Sequence, residues 1–381
     1  MCTGRIGVLV SRDRETYVYR MAMLPPGALP GSDETGMKSV FSYLRYAFAV
    51  TALGLVLAAW LGWETTGSGA GMMSFLFTAT VLAALEIALS FDNAIVNANK
   101  LKEMDPVWQR RFLTWGILIA VFGMRIVFPL LVVVIAANIG PVSALVLAAT
   151  EPERYGLIME RAHVSIAAFG GTFLMMVALS YFIDEAKQVD WIRTVEGRLR
   201  QIAPIRGIEI AIVLAIVMCF ATILPERESA MFLFAAASGL LTFLFVEILG
   251  HVFDASQDAA RIARQGGLGA FLYLEMLDAS FSFDGVIGAF ALTRNLFLIA
   301  IGLGIGAMYV RSVTIMLVEM GALAKFRYLE HGAFYSILVL ALIMFAQSFV
   351  HIPEVITGLI GVVLIVLSLR SSLAHNRRNC G

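Results

Sequence analysis

The chain has 381 residues, of which 59% are hydrophobic and only 15% are charged. Soluble domains carry roughly 25% charged residues, so this composition excludes an ordinary soluble domain and predicts a multi-pass membrane protein. A formal net charge of zero gives no overall attraction to nucleic acid, and the three cysteines lie too far apart for a disulfide framework or a thiolate metal site.

Residues 1–37 differ from the rest because they are polar and include a proline-bearing stretch at 24–27. They lack the basic-then-apolar order of a secretory signal. Two interpretations stay open. One is a polar N-terminal tail, and the other is a misassigned start site in a protein that begins at Met37, where Lys38 and Arg45 flank the first apolar run.

Ten stretches are long and apolar enough to cross a bilayer core of roughly 30 Å. They cover residues 41–63, 72–98, 112–136, 164–184, 207–224, 230–252, 268–293, 296–319, 332–350 and 354–370. Segment 137–150 is apolar but too short to span, and we expect it to be re-entrant or on the surface. The prediction is an all-α membrane bundle with a first half at 38–224, a second half at 230–370 and a cytoplasmic tail at 371–381.

Lysines and arginines concentrate in every second loop, as cytoplasmic loops require. These residues are Lys100, Lys102, Arg110 and Arg111; Lys187, Arg193, Arg198, Arg200 and Arg206; Arg261 and Arg264; Lys325 and Arg327; and Arg377 and Arg378. The loops at 64–71 and 225–229 are short or not basic, and the one with Glu151, Arg154 and Arg161 is mixed. The alternation predicts that both termini are cytoplasmic.

One motif occurs twice, each time inside a long apolar stretch. Its copies are Leu85-Glu86-Ile87-Ala88-Leu89-Ser90-Phe91-Asp92-Asn93 and Leu277-Asp278-Ala279-Ser280-Phe281-Ser282-Phe283-Asp284-Gly285. An ionised carboxylate at the centre of a bilayer helix costs roughly 2.5–3.5 kcal/mol, so matched pairs of acids need a compensating role. Cation binding is the simplest such role.

The ten-span count places the two motifs in the second and seventh spans, which run in opposite directions. Arg125 and Arg311 each lie in the span after a motif. The sequence therefore predicts an inverted five-plus-five repeat, an arrangement that places substrate sites near the midplane where helices break. Asn93 and Gly285, directly after the aspartates, are residue types that tolerate such a break.

The stretches Ser90-Phe91-Asp92-Asn93, preceded by Glu86, and Phe281-Ser282-Phe283-Asp284 resemble the two signature motifs of the TerC-type integral membrane proteins. The likeness covers most of residues 72–320 and is to a less characterised branch, with Gly285 where the family more often has serine. That family is named for tellurium resistance, and several members are associated with manganese export. The resemblance implies ion transport more strongly than it implies a particular metal.

Four acids are the predicted metal ligands: Glu86, Asp92, Asp278 and Asp284. Within each motif the acids are six residues apart, or about 240° around a regular helix, so all four converge only if a helix unwinds or the two halves face each other. Asn93, Ser90 and Ser282 are predicted neutral oxygen ligands. The alternative is a structural role, as helix caps, backbone hydrogen bonds or salt bridges to Arg125 and Arg311.

Arg125 and Arg311 are predicted counter-charges or gates. Four acids and two arginines leave a formal charge of −2, which one divalent cation neutralises, although protonation of two acids gives the same balance. Oxygen ligands suit magnesium, calcium and manganese, so we expect a hard divalent cation as substrate and no tightly bound cofactor. Glu247 with His251, and separately Glu275, are candidates for the place where the ion enters.

The leading hypothesis is a transporter, and not an enzyme, for a hard divalent cation that it exchanges for protons. Export, and manganese as the ion, are what the resemblance to TerC-type proteins implies. A second class is a membrane scaffold for a tellurium or metal stress-resistance complex, with the bilayer, stress-response proteins or another copy of the chain as partners. An intramembrane aspartyl protease is disfavoured because no Gly-x-Gly-Asp element precedes either aspartate. No phosphate-binding glycine-lysine loop is present for an ATP-driven pump.

Overall fold

The computed structural model describes residues 34–184, 187, 189–255, 267–350 and 352–379. The chain divides into two compact units, 1–42 and 43–381, and of the first only the beginning of α1 is described. In chain order the helices are α1 (Glu34–Thr66), α2 (Gly69–Leu89), α3 (Phe91–Glu103), α4 (Pro106–Leu118), a π-helix (Ile119–Val127), α5 (Phe128–Ala137), α6 (Pro141–Thr150), α7 (Pro152–Phe182), α8 (Arg193–Ile202), α9 (Ile208–Ala221), α10 (Glu226–Ala255), α11 (Leu268–Leu292), α12 (Leu296–Glu319), α13 (Ala322–Lys325), α14 (Leu329–Gln347) and α15 (Glu354–Asn379).

Within these described residues, seven helices are long and apolar enough to cross a membrane. Their apolar parts are Val40–Thr66, Gly69–Leu89, Pro152–Phe182, Glu228–Leu249, Leu296–Glu319, Leu329–Gln347 and Ile356–Arg378. An eighth is reached if Phe122–Ala137 and Pro141–Thr150, which are bent by 105°, count as one span. The chain therefore has the helices of a multi-pass membrane protein, as its composition predicts.

Two of the ten predicted spans are neither among these seven helices nor in the bent pair, one because of its length and the other because of its charge. Helix α9 has 14 residues and is about 21 Å long, short of a bilayer core of roughly 30 Å. Helix α11 has 25 residues, but any 18-residue window within it contains Glu275, Asp278 and Asp284. The count of ten spans and the inverted repeat thus stay predictions.

The predicted re-entrant or surface segment at 137–150 is a separate helix at a sharp bend. Helix α5 ends at Asn138, whose φ of 52° places it in the left-handed region that asparagine tolerates. Pro141 then begins α6, at a position where its missing N–H has no helical partner to lose. Local residue preferences are therefore sufficient to explain this bend.

Helix α7 is the most enclosed of the seven spans and packs against α10, α11 and α14. Helix α12 packs against α2, α3 and the π-helix, and α14 packs against α3 as well as α7. The buried polar residues of the first motif lie where these helices meet.

Among the described residues, the segment between α7 and α9 is attached to α14 through the backbone oxygen of Val189, which is 2.8 Å from His331 Nε2, and through one buried carboxylate. Glu196 of α8 is 1% exposed. It accepts hydrogen bonds from Lys187 Nζ at 2.7 Å and from the backbone N–H groups of Trp191 and Ile192 at 3.1 and 2.9 Å. Tyr335 of α14 donates its hydroxyl to the same carboxylate at 3.2 Å. These bonds give the segment a defined position outside the apolar spans.

Glu196→Gln is expected to lower the stability of the purified protein at neutral pH by on the order of 2 kcal/mol, since it removes a charged acceptor. Burial alone raises the pKa of the Glu196 carboxyl, but the bonds from Lys187 and Ile192 outweigh burial and hold the pKa below its ordinary value. A depressed pKa stabilises the fold above the unfolded-state pKa of about 4.3, and this stabilisation is lost as pH falls through the folded-state value.

Thermal unfolding in detergent from pH 7 to pH 3 measures this effect. The difference in Tm between the native chain and Glu196→Gln should shrink below about pH 4.3. A difference that stays constant over this range would contradict the depressed pKa.

Candidate functional site

The first motif lies at a break between two helices. Helix α2 ends at Leu89, and α3 begins at Phe91. Between them, Ser90 donates its backbone N–H to Glu86 O at 3.0 Å and its hydroxyl to Glu86 Oε1 at 3.2 Å. The break was expected after Asp92, but it comes before it, at Ser90, whose φ of −99° and ψ of 14° depart from helical values. Asp92 therefore lies in the first turn of α3, where a helix favours a negative charge.

The second motif does not break its helix. Helix α11 is continuous from Leu268 to Leu292 and passes through Gly285. Gly285 instead permits a close approach, since a Cβ added there would lie 3.0 Å from Glu86 Oε2. On α12, a Cβ added to Gly306 would overlap Glu86 Cγ. Glycines on two neighbouring helices thus make room for the Glu86 side chain.

Glu86 forms a buried ion pair with Arg125. The distance from Arg125 Nη2 to Glu86 Oε1 is 2.5 Å, and both side chains are about 95% buried. Arg125 lies on the π-helix, a type of helix that is often found at functional sites. The pairing considered from sequence was with an aspartate, whereas the structure pairs Arg125 with the first acid of the motif.

A cavity of about 40 Å³, named here the arginine cavity, lies on one side of the break. Its polar lining residues are Glu86, Ser90, Asn93, Asn97, Arg125, Asp278, Arg311 and Thr314. A cavity of roughly 10–15 Å³ holds one water molecule, so this volume suffices for a small, partly hydrated ion.

Asparagines of α3 connect this cavity to the second motif. Asn93, 3% exposed, donates Nδ2–H to Asp278 Oδ1 at 2.6 Å. The side-chain oxygens of Asn93 and Asn97 are both buried without a hydrogen-bond partner. Asn97 was missed by the sequence analysis, although its position four residues after Asn93 places it on the same helix face. Buried oxygens without donors suit a cation ligand.

A second cavity of about 20 Å³, named here the hydroxyl cavity, lies on the other side of the break. Its polar lining residues are Glu86, Ser90, Asp92, Ser336 and Thr357. Ser336 of α14 donates its hydroxyl to Asp92 Oδ2 at 2.6 Å, and Asp92 Oδ1 accepts the backbone N–H of Asn93 at 2.8 Å. Ser336 and Thr357 were missed, because a single hydroxyl in an apolar helix carries no sequence signal.

Three other predicted residues are buried or half-buried, and they differ in their relation to the two cavities. Arg311 lines the arginine cavity and donates Nη1–H to Phe112 O at 3.3 Å. Glu275 was predicted at the place where ions enter. Its Oε1 is buried next to Gly116, which lines the arginine cavity, and a Cβ added to Gly116 would lie 2.7 Å from this oxygen. Ser282 is buried, but it is not among the described residues that line either cavity.

The remaining candidates lie away from the cavities or outside the described side chains. Glu247 is exposed on α10 and lines neither cavity, so its role in ion entry stays a prediction. The side chains of His251 and Asp284 are outside what the structure describes. Among described side chains, no three from aspartate, glutamate, histidine and cysteine are placed to hold one metal ion. The four-acid cage therefore stays a prediction, and the described acids are divided between two cavities that share Glu86.

A family model described as "Protein of unknown function (DUF475)" matches residues 91–379. The match covers Asp92, the asparagines of α3, the second motif, Ser336 and Thr357, and it begins just after Glu86 and Ser90. No curated protein and no solved structure matches the chain.

Proposed function

This chain belongs to the DUF475 family of proteins of unknown function, and we propose that it is a membrane transporter for a hard divalent cation. The observation that carries the proposal is the arginine cavity, where buried carboxylate and amide oxygens surround a space large enough for a small ion. Charged and amide side chains are costly inside an apolar helix bundle, and ion pathways are a common reason for them.

The ligand chemistry supports a hard cation. Glu86 and Asp278 supply carboxylates, Asn93 and Asn97 supply amide oxygens, and Thr314 supplies a hydroxyl. Leaving a buried acceptor without a partner costs about 1–3 kcal/mol, and a bound cation would offset that cost at both asparagines. Oxygen ligands of this kind suit manganese, magnesium or calcium. Manganese leads through the resemblance to TerC-type proteins.

The formal charge supports a divalent ion and an exchange for protons. The described charged groups that line or adjoin the two cavities are Glu86, Asp92, Glu275 and Asp278, together with Arg125 and Arg311, and their formal charges sum to −2. One divalent cation neutralises this charge, and when it leaves, two protons on carboxylates restore the balance. The proposed cycle exchanges the cation for protons, and the same resemblance suggests export across the cell membrane.

The proposed orientation has both termini in the cytoplasm, on the basis of the basic loops. Reporter fusions after residues 106 and 260 should then report cytoplasm, and fusions after 68 and 227 should report the outside; position 260 lies outside the described residues. Signals from the same side at 106 and 227 would rule out both this orientation and the inverted repeat.

Flux measurements with the purified protein in liposomes test the function. Mn²⁺ uptake should be faster under an opposing pH gradient, and acid on the loading side should slow it as the carboxylates take up protons. Glu226→Gln, which changes an exposed acid at the start of α10 that lines neither cavity, is the matched control and should behave like the native chain.

Each alternative has its own outcome in this experiment. Mn²⁺ flux that does not change with a pH gradient of either sign would contradict proton exchange and indicate a channel. No Mn²⁺ flux under any gradient, together with tellurite tolerance that still depends on the protein, would favour the membrane scaffold.

A further inference from the structure

The two cavities share a wall made of Glu86 and Ser90. The two oxygens of the Glu86 carboxylate lie on different sides of that wall. Oε1 bonds Arg125, which lines the arginine cavity, whereas Oε2 lies beside Gly285, which lines the hydroxyl cavity. One carboxylate thus reaches both spaces.

The hydroxyl cavity presents oxygen atoms and no described basic side chain. Besides the shared Glu86, its acid is Asp92. Ser336 donates its hydroxyl proton to Asp92, which leaves the lone pairs of the Ser336 oxygen available. Thr357 of α15 is 6% exposed, and its Oγ1 is buried without a hydrogen-bond partner. A volume of about 20 Å³ is enough for one water molecule or one dehydrated ion.

We propose that the hydroxyl cavity is a second cation subsite, in series with the arginine cavity, with Asp92, Ser336 and Thr357 as its ligands and Glu86 as the carboxylate shared by both. This inference rests on the proposed transport function and adds a path to it. The cation moves from one cavity to the other past Ser90, and Glu86 contacts it on both sides.

If the two subsites lie in series, an ion reaches one of them first from one face of the membrane and the other first from the opposite face. Flux measured from each face separately tests this. Mn²⁺ flux is recorded in right-side-out and inside-out membrane vesicles that contain the full chain. Thr357→Val keeps the side-chain shape and removes the hydroxyl, so it should raise the half-saturating Mn²⁺ concentration about tenfold from one face and leave it unchanged from the other. Asn97→Ala, on the arginine cavity, should show the same effect from the opposite face.

Two controls separate a lost ligand from a disturbed fold. Thr357→Ser keeps the hydroxyl and should restore most of the affinity. Thr172→Val removes another buried hydroxyl that has no hydrogen-bond partner, on α7 and away from both cavities, and should leave the flux unchanged.

The possible failures are distinguishable. Native flux with an unchanged Thr357→Val variant, or with Thr357→Val and Asn97→Ala both acting from the same face, overturns the serial subsite while the transport function stands. No Mn²⁺ flux by the native chain in either vesicle orientation overturns the transport function, and this inference with it.

Discussion

Asp92→Asn is expected to reduce Mn²⁺ flux by roughly 100-fold while the protein stays folded in the membrane. The substitution removes one negative charge at nearly constant volume, and the asparagine oxygen can still accept the hydroxyl of Ser336. A charge-assisted interaction contributes about 1.5–3 kcal/mol, and about 1.4 kcal/mol corresponds to a factor of ten. Flux in liposomes, with the amount of folded protein determined by gel filtration in detergent, measures the effect.

The repeated motif extends this expectation to Asp284→Asn, which should have the same effect as Asp92→Asn. Glu226→Gln is the control for loss of an acid as such. Native transport by both aspartate variants would show that these acids have a structural role and would remove the basis for a carboxylate site.

Arg125→Gln is expected to destabilise the protein by about 3–5 kcal/mol, the usual cost of removing one member of a buried ion pair. The cost arises because the Glu86 carboxylate stays buried without its guanidinium partner. In the double variant Glu86→Gln with Arg125→Gln, both charges are absent, so much of the stability should return. Denaturant unfolding in detergent of the native chain, the two single variants Arg125→Gln and Glu86→Gln, and the double variant gives the coupling energy between the two residues.

The chain offers an exposed ion pair for comparison. Arg154 Nη1 and Glu151 Oε2 lie 3.5 Å apart, and both side chains are more than half exposed. Arg154→Gln should therefore cost less than about 1 kcal/mol. If Arg125→Gln were no more destabilising than Arg154→Gln, the pair with Glu86 would contribute nothing to the fold.

Under the proposed transport function, the two cavities also suggest how the protein would avoid an open pore. Glu86 and Ser90 form a wall that separates the described polar groups of one cavity from those of the other. An ion would then pass through two separate spaces and not through one continuous channel. Arg125 holds Glu86 in this wall, and Ser90 adds a second hydrogen bond to the same oxygen. Movement of one carboxylate would then be sufficient to pass an ion between the cavities.

The sequence by itself determined the properties that depend on composition and short-range pattern. The apolar stretches predicted a helical membrane protein, and the bend at Asn138 and Pro141 follows from local backbone preferences. The repeated acids identified Glu86, Asp92 and Asp278 as candidates, because buried charge in apolar sequence is costly enough to require a reason.

Only the tertiary structure decided which of these groups meet. Gly285 could not be recognised as a contact for Glu86, because a glycine that bends its own helix and one that admits a neighbouring side chain are the same residue in sequence. Ser336 is 244 residues from Asp92, and its hydroxyl has a role only after α14 packs against α3. Pairings over such separations are set by the packing of whole helices, which no local pattern contains.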